Sequence, residues 1–303
     1  MARSCLFLFY LVCALQLAKA HWHVTPGFLA VRSQPTTRMA SAEASAAGKG
    51  AKESKPITDE EVETTLPPRY LRGCNNDRVE ALRRWRLTLE WRRDEKIDDI
   101  LTEAQPNFDV LKKTFPIYLY GRTKNNHVCL YEQVNVQVLY DAGLTDADLL
   151  RQYAFVTEVL WKVIEPDDDA QLVTVEDVAG VRLWHLTPII LRFTRAAAAM
   201  MAGHYVERCY RSYIINAPLA FRAVWRVVEL FFDARTREKV RIIGYDHSQL
   251  LDDFDPSALP VEYGGTSPKA LSDSNEELQV HAIVERNNAA AAVAAAAAAR
   301  TAS

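Results

Sequence analysis

Cysteine is scarce and badly placed for cross-linking. Of five in 303 residues, Cys5 and Cys13 fall in an N-terminal apolar run, and Cys74, Cys129 and Cys209 are far apart. An odd, scattered trio excludes a disulfide framework and reads as buried free thiols. No sign of charge dominates either. Thirty-six Lys and Arg against 39 Asp and Glu leave a net charge of −3, which argues against a general nucleic-acid binder. There is no Cys/His spacing of the zinc type, no Gly-rich phosphate loop, no G-x-S-x-G turn and no H-E-x-x-H pair. His127, His185, His204 and His247 stand alone in sequence and read as satisfied or surface histidines. No catalytic residue, metal or cofactor is expected on these grounds. A nucleophile–base pair assembled only in three dimensions would escape this reading.

What the chain does contain is apolar surface, 49% of its residues, enough for one substantial core plus tails. Residues 1–20 read as a secretory signal: Arg3 precedes the run Leu6–Leu17, and Ala18-Lys19-Ala20 places small residues at the two peptidase positions. The run is short for a membrane span. Residues 21–56 carry Arg32, Arg38, Lys49 and Lys52 with many hydroxyls and few acids. That composition fits a disordered linker or a transit-like segment. Signal and transit in tandem would route the protein to a plastid bounded by extra membranes; a signal alone would route it to the secretory pathway.

Folded structure is expected from Ile57. Val79, Leu82, Trp85 and Leu89 share one face of a helix over Val79–Arg93. Arg83, Arg84, Arg86, Arg92 and Arg93 crowd the other faces, read either as a solvated surface or as one that meets an anionic membrane. The next segment, from Phe115, has a proline-marked entry and then a first strand over His127–Val136. Thr145 and Asp148 outline a capping box for a helix that ends before Pro166. Asp167, Asp168 and Asp169 read as solvated loop carboxylates rather than a metal site. A strand over Gln171–Val178, a helix over Ile189–Gly203 opened by Thr187-Pro188, a strand at Ser212–Asn216 and another at Lys239–Tyr245 then alternate. Strand, helix, strand, helix, strand specifies an α/β layer with a mostly parallel sheet. Between the last two strands, Asn216 and Pro218 suit a helix start. Leu219–Phe232 is apolar almost all round, apart from a stripe of Arg222, Arg226, Glu229 and Asp233. Such a helix is either buried in a core or faces something oily. Residues 269–303, with the alanine tract Ala289–Ala299, read as a loose low-complexity tail lacking a face to pack.

Two groups of residues carry a resemblance. RYLRGCNND with LEWRR near the start, and YVERCYRSYIINAP followed by an aromatic-rich helix, a strand and LPVEYGG, are similar to the CRAL-TRIO lipid-binding family over about residues 57–268. The resemblance implies a small helical N-terminal subdomain (57–103) and a lipid-binding domain (104–268) whose sheet floor and helices enclose a hydrophobic pocket. It makes Leu219–Phe232 the mobile gate, with Leu219, Phe221, Val224, Trp225, Val228, Phe231 and Phe232 toward the lipid. It implies a hydrophobic small-molecule partner, transient peripheral contact with membranes, no nucleic acid, and a monomer. Three positions depart from the inositol-lipid pattern: Cys74, Ala196 and Glu229 stand where a basic residue, a glutamate and a lysine are usual. A glutamate facing a lipid phosphate would repel it. At the positions that hold a phosphatidylcholine headgroup stand Leu119, Leu130, Leu172 and Thr174, and only Thr174 keeps a hydroxyl. Headgroup oxygens buried without partners cost about 1–3 kcal/mol each. The expected ligand is therefore less polar than phosphatidylinositol (prenyl-, sterol-, tocopherol- or carotenoid-like), the alternatives being phosphatidylinositol/phosphatidylcholine transfer and a ligand-free protein-docking module.

Overall fold

The computed structural model describes residues 56–133, 143–179, 188–219 and 234–301; the leader and all of Leu219–Phe232 beyond Leu219 lie outside that set. Helices α1 (Asp59–Thr65), α2 (Pro68–Gly73) and α3 (Arg78–Asp94) form the N-terminal part. Next come α4 (Phe108–Thr114), β1 (Ile117–Arg122), β2 (Val128–Gln133), α5 (Asp146–Val159), β3 (Leu172–Asp177), α6 (Pro188–His204) and β4 (Cys209–Ile215). The remainder is α7 (Ala234–Lys239), β5 (Val240–Ile242) and the long α8 (Asn275–Thr301).

The five strands lie side by side in chain order, β1 antiparallel to β2 and every later pair parallel. Parallel neighbours joined by right-handed crossovers in one direction put their connecting helices on one side of the sheet. Phe155, Val159 and Leu149 of α5 and Phe193 and Met200 of α6 accordingly pack with Leu119, Leu130, Leu172 and Ile214 of the sheet. The opposite face, with Tyr120, Tyr131, Val173, Val175 and Tyr213, is covered by Leu250, Phe254, Leu259, Tyr263 and Leu271. In the LPVEYGG segment, Gly265 presses so closely on Leu259 that a Cβ would lie 1.9 Å from its carbonyl oxygen.

The capping box is formed as the sequence specifies: Thr145 Oγ1 accepts from Asp148 N–H, and the Asp148 carboxylate accepts from Thr145 N–H at 2.8 Å. Several expectations need correction. The strand at 128 is not the first, since β1 precedes it as the sheet's edge. On α3 the buried face is Ala81, Trp85 and Thr88, with Leu82 and Leu89 only at its margin; Val79 is 79% exposed. The six arginines of that helix all have partners within the chain, Arg78 with Glu63 among them. Arg83 pairs with Glu80, Arg86 with Asp59 and Arg93 with Asp94. Arg84 donates to the carbonyl of Ala202, and Arg92 bridges Asp98 and the buried Glu158.

The aspartates of the 167–169 loop are likewise more than solvated. Asp168 takes Arg69 at 2.9 Å and Arg208 at 3.4 Å, and Asp169 takes Arg72 at 2.7 Å, so the loop ties α2 to the start of β4. The largest correction is at the C terminus. Only the alanine tract is unpacked. Val280, Ile283 and Val284 of α8 join the main core, and Asn287 donates to the carbonyls of Leu101 and Glu103. The folded unit therefore extends to about residue 288.

Candidate functional site

The sheet face beneath α5 and α6 is the candidate site. Alternation along β1–β4 sends every second side chain to this side, and the register sets which of them are neighbours. Leu119, Leu130, Thr174 and Ser212 form one row across four strands. Leu119 and Leu130 are buried and Thr174 is half-buried. Leu172 stands on the same face one step along, opposite Val128. The four predicted sheet positions are thus brought together.

Of the other predicted positions, Cys74, Ala196 and Leu219 are described, and none of them lies in this row. Cys74 packs with the N-terminal helices, next to Arg84. Ala196 is half-buried in the middle of α6. Leu219 is 78% exposed and so faces away from the row. Phe221, Val224, Trp225, Val228, Glu229, Phe231 and Phe232 lie outside the described residues.

At the foot of this stretch Asn216 is held by partners within the described residues. It adopts a left-handed backbone (φ 59°) and its side chain spans Asp177 Oδ1 (2.7 Å) and His247 Nε2 (2.9 Å). Its backbone N–H donates to Gly244 at 3.1 Å. His247, isolated in sequence, is thereby tied to the turn that leads into Leu219.

The next row across the same face was missed by sequence reasoning. It reads Ile117, Glu132, Glu176, Ile214 and Ile242: two glutamates side by side on adjacent parallel strands, flanked by isoleucines. Tyr153 of α5 donates its hydroxyl to Glu132 Oε1 at 2.9 Å. Ser212 and Thr174 donate theirs to Glu176 Oε1, at 2.9 and 3.4 Å. Among the described residues no Lys, Arg or His pairs with either carboxylate. Burial, and then the neighbouring Glu176 charge, push the Glu132 carboxyl up to about 8. Burial raises Glu176 as well, against the pull of Ser212 and Thr174. The signal available in sequence was period two: Glu132 follows Leu130, and Glu176 follows Thr174, each by two residues. Their adjacency needs the strand register, which sequence alone does not supply.

Among the described residues, no group of three or more His, Cys, Asp and Glu is placed to hold a metal ion, and no helix is long and apolar enough to cross a membrane. What the arrangement does offer is a broad apolar floor with one compact polar island, the usual composition of a pocket for a mostly hydrophobic small molecule.

Comparison with known proteins agrees with that geometry. Residues 112–265 match the CRAL/TRIO domain model. The chain is 28% identical over 210 residues to the phosphatidylinositol/phosphatidylcholine transfer protein SFH7 of Arabidopsis thaliana, covering 65% of this chain and 38% of that protein. It is 26% identical over 214 residues to the SEC14 cytosolic factor of Eremothecium gossypii, covering 66% and 68%. The chain spans only 34% of a further Arabidopsis relative, the phosphatidylinositol/phosphatidylcholine transfer protein SFH4. Among solved structures, Sfh5 superposes with a TM-score of 0.54 at 19% identity, over 70% of this chain and 76% of that one. At that identity the likeness establishes the fold alone.

Proposed function

This chain belongs to the CRAL/TRIO domain family, and from that premise we propose that it binds a hydrophobic lipid between the sheet and its covering helices and transfers or presents it between membranes. The observation that carries the proposal is the sheet floor. Leu119, Leu130 and Leu172 are 0%, 4% and 3% exposed and lie on one face with Thr174. Three leucines offer a buried headgroup no hydrogen bond, so the ligand is less polar than phosphatidylinositol. Leu219–Phe232 is the gate in this reading, membrane contact is transient and peripheral, the protein acts as a monomer, and no catalytic step is assigned. The names of SFH7 and SFH4 favour a second reading, exchange of phosphatidylinositol and phosphatidylcholine.

Mass spectrometry of an organic extract of the purified full chain separates these readings. A neutral isoprenoid, sterol or similar lipid is the expected result. Phosphatidylinositol or phosphatidylcholine in its place would establish the second reading. An extract free of lipid would overturn the carrier reading and leave a protein-docking module.

We further propose that the protein is routed through the secretory pathway by residues 1–20, with onward delivery to a plastid if residues 21–56 act as a transit segment. N-terminal sequencing of protein from its source is expected to begin after Ala20, or near Ile57 after a second cleavage. A mature chain that begins at Met1 would overturn the leader.

A further inference from the structure

Two carboxylates set side by side on an apolar floor, with no cation among the described residues to meet them, cannot both stay ionised without a large penalty. Their hydrogen bonds make the arrangement directional. Tyr153, Ser212 and Thr174 all reach the Oε1 atoms, and among the described residues nothing is bonded to either Oε2. The pair keeps open surface: Glu132 and Glu176 are half-buried, whereas Ile117 and Ile214, which flank them in the row, are closed at 2% and 6% exposure. A structural role alone would be served as well by two more isoleucines, because replacing buried ionic groups by apolar side chains is often neutral or stabilising.

We propose that Glu132 and Glu176 are specificity-determining residues of the pocket, and that together they select a neutral lipid that ends in a hydroxyl. This inference rests on the pocket reading above. A pair that shares a proton presents one O–H donor and one carboxylate acceptor. A ligand alcohol is the complementary partner, because it accepts from the first and donates to the second without any net charge. A phosphate or carboxylate terminus meets like charge and is disfavoured. A methyl ether accepts but cannot donate, and so leaves the carboxylate unpaired.

The test uses the full-length protein and the hydrocarbon fluorophore diphenylhexatriene, which has no polar group and so reports the apolar cavity independently of the glutamates. Four competitors on one chain, supplied from cyclodextrin, then displace it: 1-hexadecanol, hexadecyl methyl ether, hexadecylamine and palmitate. The alcohol is expected to displace the fluorophore at a concentration roughly tenfold below the ether, with palmitate the weakest. In the double variant Glu132→Leu/Glu176→Leu the alcohol-to-ether ratio is expected to fall to about one. Failure of the variant to fold would leave the wild-type ratio to decide. A wild-type ratio near one, with the fluorophore bound, would overturn the hydroxyl selection and leave the pocket standing. A tenfold preference for the amine over the alcohol would also overturn it, since the pair would then be holding a cation. If the fluorophore does not bind wild-type protein, the pocket reading itself fails and this inference with it.

Discussion

A chain that ends at Asn288 is expected to melt where the full chain does, and one that ends at Ala270 is expected not to fold. The reason lies in how α8 finishes the edge of the sheet. β1 is an edge strand, and an edge leaves backbone groups without strand partners. At its centre, Leu119 N–H donates to Glu277 Oε1 at 2.7 Å and Leu119 C=O accepts from Ser274 Oγ at 2.6 Å. Glu277 Oε2 takes the ammonium of Lys112 at 2.6 Å, and Lys112 also donates to the carbonyl of Ile117. Glu277 is fully buried and Lys112 is 8% exposed. Burial lowers the Lys112 ammonium below its ordinary range, against the pull of Glu277.

Glu277→Leu removes the anion and leaves both the ammonium and the Leu119 N–H stranded. Breaking one side of a buried pair costs about 3–5 kcal/mol, against a total stability of about 5–15 kcal/mol for an ordinary domain. Urea denaturation followed by circular dichroism is expected to show that loss in the single variant. The double variant Lys112→Met/Glu277→Leu is expected to recover part of it, because no charge is then left unpaired. A Glu277→Leu protein as stable as wild type would show that α8 is not part of the folded unit.

The same helix shows where sequence reading stops. Its buried stripe is Glu277, Val280, Ile283, Val284 and Asn287, polar at both ends, and the contacts by which those polar residues hold the rest of the fold reach more than 150 positions away. An apolar periodicity cut to three residues and followed by an alanine tract looks like a tail. The aspartates of the 167–169 loop failed to stand out for the same reason, since Arg69 and Arg72 are 99 and 97 residues distant. β1 is six residues directly after Pro116, with Tyr118 and Arg122 half-buried, so it gives no clean alternation. Local chemistry, by contrast, was legible. The Thr145 box, the helix beginning at Pro188 and the parallel strands at 172, 209 and 240 follow from caps, proline and β-branched runs read in place. Of the site, the positions of Leu119, Leu130, Leu172 and Thr174 came from a resemblance, and the register then placed them on one face. Glu132 and Glu176 became visible only once two strands were laid side by side.

That pair is also expected to make the protein's stability fall between pH 6.5 and pH 8. A glutamate in an unfolded chain titrates near 4.3. In the fold, burial and the Glu176 charge push Glu132 up to about 8, and burial raises Glu176 too. Between those limits the folded state holds a proton that the unfolded state has released, so stability declines as pH rises and levels off above about 8. Two shifted histidines and a shifted thiol among the described residues act outside this window. His204, buried on Trp91 and beside Arg84 and Arg92, drops to about 4, and burial lowers His127 as well. A depressed histidine makes stability rise with pH, but only up to the ordinary histidine range near 6.5. Burial raises Cys209 to about 11, which acts only above the ordinary thiol range near 8.5. One proton held across 1.5 pH units is worth about 2 kcal/mol. Urea midpoints at pH 6.5 and pH 8 are therefore expected to differ by that amount in wild-type protein and to coincide in Glu132→Gln/Glu176→Gln. The amide variant keeps the shape and the hydrogen-bonding capacity of both side chains, so the comparison isolates the proton. A wild-type stability that is flat across this window would mean that both carboxylates are ionised in the fold, and that something other than a shared proton balances their charge.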